Sequence, residues 1–161
     1  MKTRETVNII FCGTGGQGVL KASEICAWAA LLDGYHVKKS EVHGMSQRGG
    51  SVESHLRFGS KVYSPLVPRG QADFLIPLHS EEAAALKDFL SPSGRDYSRE
   101  LETAGLLPQE RRYLNSFMCG RLAVDLPLKK ESWLKAIGIV FGKGHAPENR
   151  RVFLNGYRGS K

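Results

Sequence analysis

The chain begins with an alternation of apolar and mixed segments that predicts a strand, a helix and a second strand. Residues 7–12 are apolar except for Asn8, which is typical of a strand buried on both faces of a parallel sheet. A helix is predicted over about residues 17–33, and Gly34 stands just past its end. Residues 36–40 predict a second strand that pairs in parallel with the first, which completes a βαβ unit.

The middle of the chain predicts two more strands and a helix. Apolar and polar residues alternate over residues 52–58, which is the period of a half-exposed strand. Two prolines confine residues 62–68 to an edge strand or an extended segment. Residues 73–77 predict a central strand that ends at a proline, and Ser80 is expected to cap a helix that runs to about residue 90.

The last third of the chain is predicted to be mainly helical. Residues 91–113 show no apolar strand pattern, and we expect a loop there with one short helix near residues 99–104. Amphipathic helices follow, over residues 114–126, 131–141 and 147–157. Together these elements predict a single α/β domain of 161 residues, three-layered and Rossmann-like, with a mostly parallel sheet.

The first helix carries small residues on one face, which lets it lie close to the sheet: Val19, Ala22, Ser23, Cys26, Ala29 and Ala30. The bulky side chains of Ile25, Trp28 and Leu32 gather on the opposite face. We expect a C-terminal helix to cover this stripe, and the alternative is that a partner subunit covers it.

The turn between the first strand and the first helix is rich in glycine. Gly13, Gly15 and Gly18 satisfy the pattern GxGxxG, and the turn also contains Gly16 and Gln17. Exposed amides and the helix dipole could hold a phosphate there. Glu41, at the end of the second strand, could hold a ribose, so a dinucleotide-binding domain is one hypothesis. The other is that the glycines merely permit a tight turn.

A second polar segment, residues 41–52, contains His43, Ser46, Gln47 and Arg48 among glycines. It is dense in hydrogen-bonding groups and poor in residues that fill a core, which is typical of a functional loop. Its position after the second strand predicts that it lies at the carboxyl edge of the sheet, next to the glycine turn.

Four separated motifs, in this order, closely resemble the gamma subunit or domain of the 2-oxoacid:ferredoxin oxidoreductases. They are GTGGQGVLKAS, YHVKKSEVHGMSQRGGSVESHLRFG, VYSPLVPRGQADFLI and YLNSFMCGRLAVDLPL. Within the family the resemblance is to the small subunit of the indolepyruvate enzymes. It covers residues 7–90 almost continuously and resumes at about residue 113.

The resemblance implies a subunit of a complex that oxidatively decarboxylates arylpyruvates, passing electrons to ferredoxin and the acyl group to coenzyme A. It implies a large partner subunit that carries thiamine diphosphate, Mg²⁺ and [4Fe–4S] clusters, with no tightly bound cofactor and no metal site on this chain. An autonomous NAD(P)- or FAD-binding reductase domain is the rival hypothesis, favoured by the glycine pattern and Glu41.

The resemblance also suggests roles for residues. Gly13, Gly15, Gly16, Gln17 and Gly18, with Ser46, Gln47 and Arg48, are candidates for contact with a phosphate or with coenzyme A. Arg48 suits a substrate carboxylate or a phosphate. His43 and Arg48 are the catalytic candidates, although a single His in a loop is more often a hydrogen-bonding or interface residue. His55 lies among strand residues and is predicted to be structural.

The resemblance has one departure. Family members carry additional strand and helix material where this chain has only the polar residues 91–113. The chain is therefore expected to be shortened or incomplete in this region.

Charge and cysteine usage limit the remaining alternatives. Lys and Arg number 23 against 16 Asp and Glu, so a net charge of +7 favours an anionic partner. Nucleic-acid binding is weakly supported, because the basic residues are not interleaved with stacking aromatics. Cys12, Cys26 and Cys119 are widely spaced in apolar surroundings, which predicts buried thiols in a reducing compartment. With no apolar segment long enough to span a membrane, a cytoplasmic location is expected.

Overall fold

The computed structural model describes residues 6–43 and 50–159, which have a mixed α/β fold. Two short 3₁₀ turns, Lys87–Phe89 and Pro108–Tyr113, link some of the elements. The strands and helices are β1 (Val7–Thr14), α1 (Val19–Leu32), β2 (His36–His43), β3 (Ser51–Gly59), β4 (Ala72–Pro77), α2 (Ser80–Ala85), β5 (Leu90–Asp96), α3 (Ser98–Glu102), α4 (Leu114–Ala123) and α5 (Lys130–Arg158).

The five strands form one sheet in the order β2-β3-β1-β4-β5. β1 pairs in parallel with β4, and β4 with β5, whereas β3 is antiparallel to both β1 and β2. Four of the five described strands therefore run in one direction, and the prediction of a mostly parallel sheet is confirmed.

The prediction that the second strand pairs with the first is wrong. β3 lies between them, because β2 and β3 follow each other along the chain and pair antiparallel from His36↔Gly59 to His43↔Val52. β2 still runs parallel to β1, so its carboxyl end lies at the same edge of the sheet as the glycine turn. The predicted edge is correct, although the strand order is not.

The sheet is covered on both faces, which makes the domain three-layered. Ile9 and Phe11 of β1 point into the larger core, which α1, α4 and α5 complete. Ile10 and Cys12 point to the opposite face and pack in a smaller core with Val67 and Ala83. Residues 62–71 and α2 form this thinner layer. Residues 62–68 form no strand and bend at Pro65 and Leu66, so the edge strand or extended segment predicted there is not formed throughout.

β3 is more buried than its alternating sequence predicts. Ser54, His55 and Leu56 are all buried, although His55 falls on the polar side of the pattern. The reason is the position of β3 inside the sheet, with a strand on each side and residues 62–71 packed over its polar face.

The region 91–113 contains a strand, so its prediction as a loop is wrong, whereas the short helix expected there is present as α3. β5 has the sequence LSPSGRD, and its pairing with β4 is irregular between Ala72 and Phe74. Polar contacts compensate for its missing apolar pattern. Arg95 lies 2.6 Å from both Glu100 and Asp125, and Tyr97 also donates to Asp125. Burial and this hydrogen bond raise the pKa of Tyr97.

The later helices agree with the sequence except at their ends. α2 stops at Ala85 rather than near residue 90, and its N-cap is His79, with no side-chain cap from Ser80. The last two predicted helices are the two halves of α5, separated at Gly142, whose φ of 73° breaks the helical backbone.

Glycine allows α4 and α5 to approach closely. A Cβ at Gly120 of α4 would lie 2.1 Å from the carbonyl oxygen of Phe153, and one at Gly156 of α5 would lie 2.2 Å from that of Phe117. Any side chain at either position would force the two helices apart.

The bulky stripe of α1 is only partly covered within the domain. Ile25 is completely buried, whereas Trp28 remains 41% exposed and Leu32 44% exposed. Leu31, on the same outer side, is 48% exposed. The expectation of cover by a C-terminal helix therefore holds for Ile25 and fails for the other two residues. Across residues 6–43 and 50–159, no helix has the length and apolarity needed to cross a membrane.

Candidate functional site at the carboxyl edge of the sheet

The glycine turn joins the carboxyl end of β1 to α1 through two left-handed residues. Gly16 has φ 87° and Gly18 has φ 82°, a region that residues with a Cβ rarely adopt. The amide of Gln17 donates to the carbonyl oxygen of Thr14 over 3.2 Å, which closes the turn. Glycine is therefore required at positions 16 and 18 by the backbone itself.

The side chain of Gln17 fastens this turn to the neighbouring strand. Its Oε1 accepts from the amide of Thr14 at 2.7 Å, and its Nε2 donates to the carbonyl oxygen of Leu78 at 3.0 Å. A Cβ at Gly13 would lie 2.8 Å from the same Oε1, so Gly13 leaves space for the amide group. Gln17 was predicted to contact a ligand, and the structure places both ends of its amide on the scaffold.

A residue that the sequence analysis missed supports the other end of the turn. Asn115, buried at the start of α4, donates from Nδ2 to the carbonyl oxygen of Gly18 at 3.4 Å. A Cβ at Gly18 would lie 2.5 Å from that nitrogen. The only sequence signal for this role is an Asn in the first turn of the helix.

The first backbone amides of α1 have no capping partner within the described ranges. No side chain caps the helix and its first turn contains no acidic residue. The described residues provide no hydrogen-bond acceptor for the amides of Val19, Leu20 and Lys21. These amides carry the positive end of the helix dipole. They border a cleft of about 430 Å³ whose other lining residues include Gly15, Gly16 and Val52.

A second cleft, of about 540 Å³, lies on the opposite side of the turn. Gln17 and Leu78 form one wall, the segment after α3 forms the other, and the exposed Glu102 and Arg111 stand at the rim. Both clefts therefore lie at the carboxyl ends of β1 and β4. Ligands of α/β proteins commonly bind at this edge.

The polar segment after β2 ends beside the glycine turn. The amide of Gly15 donates to the carbonyl oxygen of Gly50 at 3.1 Å, and the backbone of His43 pairs with Val52. The predicted proximity of the two motifs is thus supported at the backbone. Ser46, Gln47 and Arg48 lie outside the described residues, and so does the side chain of His43.

Glu41 does not occupy the place that ribose recognition requires. It pairs across the sheet with Ser54 of β3, which places it two strands from β1, about 10 Å at normal strand spacing. Its carboxylate lies 2.9 Å from Lys39 Nζ. The position of Glu41 therefore no longer favours dinucleotide binding, because β3 separates its strand from β1.

His55 has the structural role predicted for it. Its Nδ1 accepts from the amide of Val67 at 3.0 Å, and its Nε2 lies 3.0 Å from Glu53 Oε2. The edge of the ring also packs against Phe89. His55 thereby attaches residues 62–71 to the sheet.

The three cysteines are buried free thiols, as predicted. Burial raises the pKa of Cys26 and of Cys119, and the pKa of Cys12 is raised by burial and by the nearby Glu82. Cys12 belongs to the smaller core and the other two to the larger one, so the sheet separates them. In the part of the chain that the structure describes, no cluster of three or more His, Cys, Asp or Glu side chains could bind a metal ion.

Comparison with known proteins identifies similar chains. The profile of the family described as pyruvate ferredoxin/flavodoxin oxidoreductase matches residues 8–95. Indolepyruvate oxidoreductase subunit IorB of Thermococcus kodakarensis is 47% identical over 87 residues, which are 54% of this chain and 43% of that protein. IorB of Archaeoglobus fulgidus is 49% identical over 85 residues, or 53% and 42% of the two chains. The match thus spans less than half the length of these relatives.

Solved structures share the fold. The gamma subunit of a keto/oxoacid ferredoxin oxidoreductase from Geobacter sulfurreducens superimposes with a TM-score of 0.77 at 22% identity, covering 98% of this chain and 97% of that one. A 2-oxoglutarate:ferredoxin oxidoreductase from Magnetococcus marinus, with 2-oxoglutarate, coenzyme A and succinyl-CoA bound, gives 0.77 at 16% identity, covering 98% of this chain and 31% of that one. These matches give no support to the autonomous reductase hypothesis.

Proposed function

We propose a function from the premise that the chain belongs to the pyruvate ferredoxin/flavodoxin oxidoreductase family. In this proposal it is the small, non-cofactor-bearing subunit of a 2-oxoacid:ferredoxin oxidoreductase whose substrate is indolepyruvate. The reaction is a thiamine-diphosphate-dependent oxidative decarboxylation that yields an acyl-CoA and reduces ferredoxin. Identity of 47–49% to two indolepyruvate oxidoreductase subunits supports this choice of substrate.

Thiamine diphosphate, Mg²⁺ and the [4Fe–4S] clusters belong, in this proposal, to a large partner subunit. A [4Fe–4S] cluster commonly uses four cysteine thiolates, and this chain contains three cysteines in total. Burial keeps the three thiols protonated, and the sheet separates Cys12 from Cys26 and Cys119. These three cysteines do not suit an iron–sulfur cluster, which supports placing electron transfer on the partner subunit.

The contribution of this chain is to present the carboxyl edge of its sheet to the partner's active site. One observation carries this part of the proposal: the hydrogen bond from Gly15 to Gly50 joins the end of the polar segment to a turn that Gln17 and Asn115 hold in place. The open amides of α1 then provide a phosphate site, for which coenzyme A is the expected ligand. The coenzyme A bound to the Magnetococcus marinus enzyme supports this expectation.

His43, Ser46, Gln47 and Arg48 complete the site in this proposal. Arg48 binds the substrate carboxylate or a coenzyme A phosphate through two parallel hydrogen bonds, as guanidinium groups commonly do. His43 supplies a hydrogen bond or acts as a general acid or base at the mouth of the partner's site.

Residues 91–113 are, in the same proposal, a shortened or incomplete form of a segment that is longer in relatives. The profile match ends at residue 95, and the IorB relatives extend well beyond the region that they share with this chain. Within this segment, β5 pairs with β4 at the edge of the sheet and α3 follows it.

Purification of the tagged chain from its own host under anaerobic conditions tests the assembly. We expect a large subunit to copurify with iron–sulfur absorbance and thiamine diphosphate, and indolepyruvate with coenzyme A to bleach that absorbance. A colourless chain that elutes alone, under conditions that preserve complexes, would refute the proposed function.

A substitution of Arg48 distinguishes a role of the polar segment in turnover from a role in subunit assembly. Arg48→Ala is expected to lower turnover of indolepyruvate at least about tenfold while the large subunit still copurifies, because the lost contact orients substrate rather than subunits. Arg158→Ala is the matched control, since Arg158 is exposed at the end of α5. Equal turnover in both variants would remove Arg48 from the mechanism.

A further inference from the structure

The sheet has two edge strands, and only one of them is regular. β5 contains Pro92 and Gly94, and its register with β4 shifts. β2 forms eight consecutive pairs with β3, and no described residue pairs with its other side. A long regular edge presents unpaired amides and carbonyls to another strand. β2 is therefore the edge at which the sheet can be extended.

The charges of β2 select one way of pairing it with a second copy of itself. In an antiparallel pair, opposing residues lie on the same face of the sheet, so a two-fold axis must pass through a residue position. An axis at Lys39 opposes two lysines, and an axis at Glu41 opposes two glutamates. An axis at Ser40 places Lys39 of each copy opposite Glu41 of the other, twice.

We propose that two copies of this chain associate through β2, with Ser40 on the two-fold axis, to form one continuous ten-stranded sheet. Backbone hydrogen bonds between the two edges provide the affinity, and the pairs between Lys39 and Glu41 set the register. Edge lysines usually prevent strand pairing. Here Lys39 Nζ already lies 2.9 Å from the Glu41 carboxylate of the same strand. In the dimer, the Lys39 and Glu41 side chains of the two copies therefore form a group of four charges in which each charge neighbours opposite charges.

α1 lies on the same face of the sheet as the side chain of Lys39. Lys39 Nζ donates to Ser23 Oγ, on the buried face of α1, at 3.5 Å. Trp28 and Leu31, on the outer side of the helix, are 41% and 48% exposed. The two-fold axis brings both copies of α1 to one face of the extended sheet, where these side chains can be covered.

Cysteine cross-linking tests the register directly. Ser40→Cys places two thiols opposite each other, at the separation of cross-strand neighbours, so mild oxidation of the full chain should give a covalent dimer. Lys38→Cys is the matched control, because position 38 faces position 42 of the other copy and not itself. The three natural cysteines are buried and do not compete. Failure of Ser40→Cys to cross-link, or equal cross-linking of both variants, would overturn the proposal.

Charge exchange tests the specificity of the pairing. Sedimentation of the unmodified chain should show a dimer that dissociates at micromolar concentration, and a monomer at every concentration up to about 100 µM would contradict the proposal. Lys39→Glu and Glu41→Lys should each weaken the dimer at least about tenfold, and the double variant should return to within about threefold. A double variant as weak as the single ones would show that this register is wrong.

Discussion

Replacement of Gln17 by Leu tests whether the glycine turn depends on a side chain. The substitution keeps the approximate volume and removes the hydrogen bonds to Thr14 and Leu78. Each is worth about 1 kcal/mol, and a buried partner left without a hydrogen bond adds to the loss. We expect the free energy of unfolding to fall by about 2 kcal/mol.

Urea unfolding measures this loss as a shift of about 1 M in the midpoint, with the slope unchanged. Gln109→Leu is the control, because Gln109 is exposed in the 3₁₀ turn before α4 and makes no side-chain hydrogen bond among the described residues. A loss below about 0.5 kcal/mol for Gln17→Leu would show that the backbone alone holds the turn, and the role assigned to Gln17 would be wrong. In the assembled enzyme, the same variant should lower turnover without releasing the partner.

Two further predictions concern packing and titration. Gly120→Ala should destabilise the protein by about 3 kcal/mol, because the new Cβ would collide with the carbonyl oxygen of Phe153. Gly144→Ala should stabilise it by about 0.5 kcal/mol, because a Cβ there has no atom within 4 Å. Urea unfolding measures both variants, and the opposite order of stabilities would contradict this account. Stability should fall as the pH rises above about 8.5, by about 1.4 kcal/mol per pH unit for each buried thiol, because the unfolded thiols ionise while burial keeps the folded ones protonated. Unfolding curves from pH 8 to 10 check this, and Cys26→Ala should make the slope shallower by one thiol's share.

The elements of the first βα unit could be predicted because their signals are local. The apolar run of β1, the glycines of the turn and Gly34 after α1 each act within a few residues, and the structure follows them closely. Strand order is different. The insertion of β3 between β1 and β2 results from pairing between distant parts of the chain, and periodicity carries no information about that choice.

β5 could not be recognised because its stability comes from outside its own sequence. Pro92 and Gly94 are poor strand formers, and the strand forms as an edge that Arg95 connects to Glu100 and Asp125. The contacts that identify β5 as a strand are those of Arg95 with its partners, one of which is 30 residues away along the chain.

The sequence predicted the location of the candidate site, but it did not predict which of its residues hold the backbone in place. The glycine turn and the end of the polar segment do lie together, as Gly15 and Gly50 show. The sequence cannot distinguish a Gln that meets a ligand from one that holds the backbone, since both need an amide at the same place. Asn115 was missed because it joins the site from 97 residues away.

The hairpin of β2 and β3 has a practical consequence for chimeric proteins. Full-length pairing fixes His43 opposite Val52, so both ends of the intervening segment are anchored independently of what the segment contains. The entropy cost of closing a flexible loop between two fixed ends grows slowly with length, by about 0.6 kcal/mol for each doubling. The corresponding segments of relatives with other substrates are therefore expected to fit between His43 and Val52 without a change to the sheet.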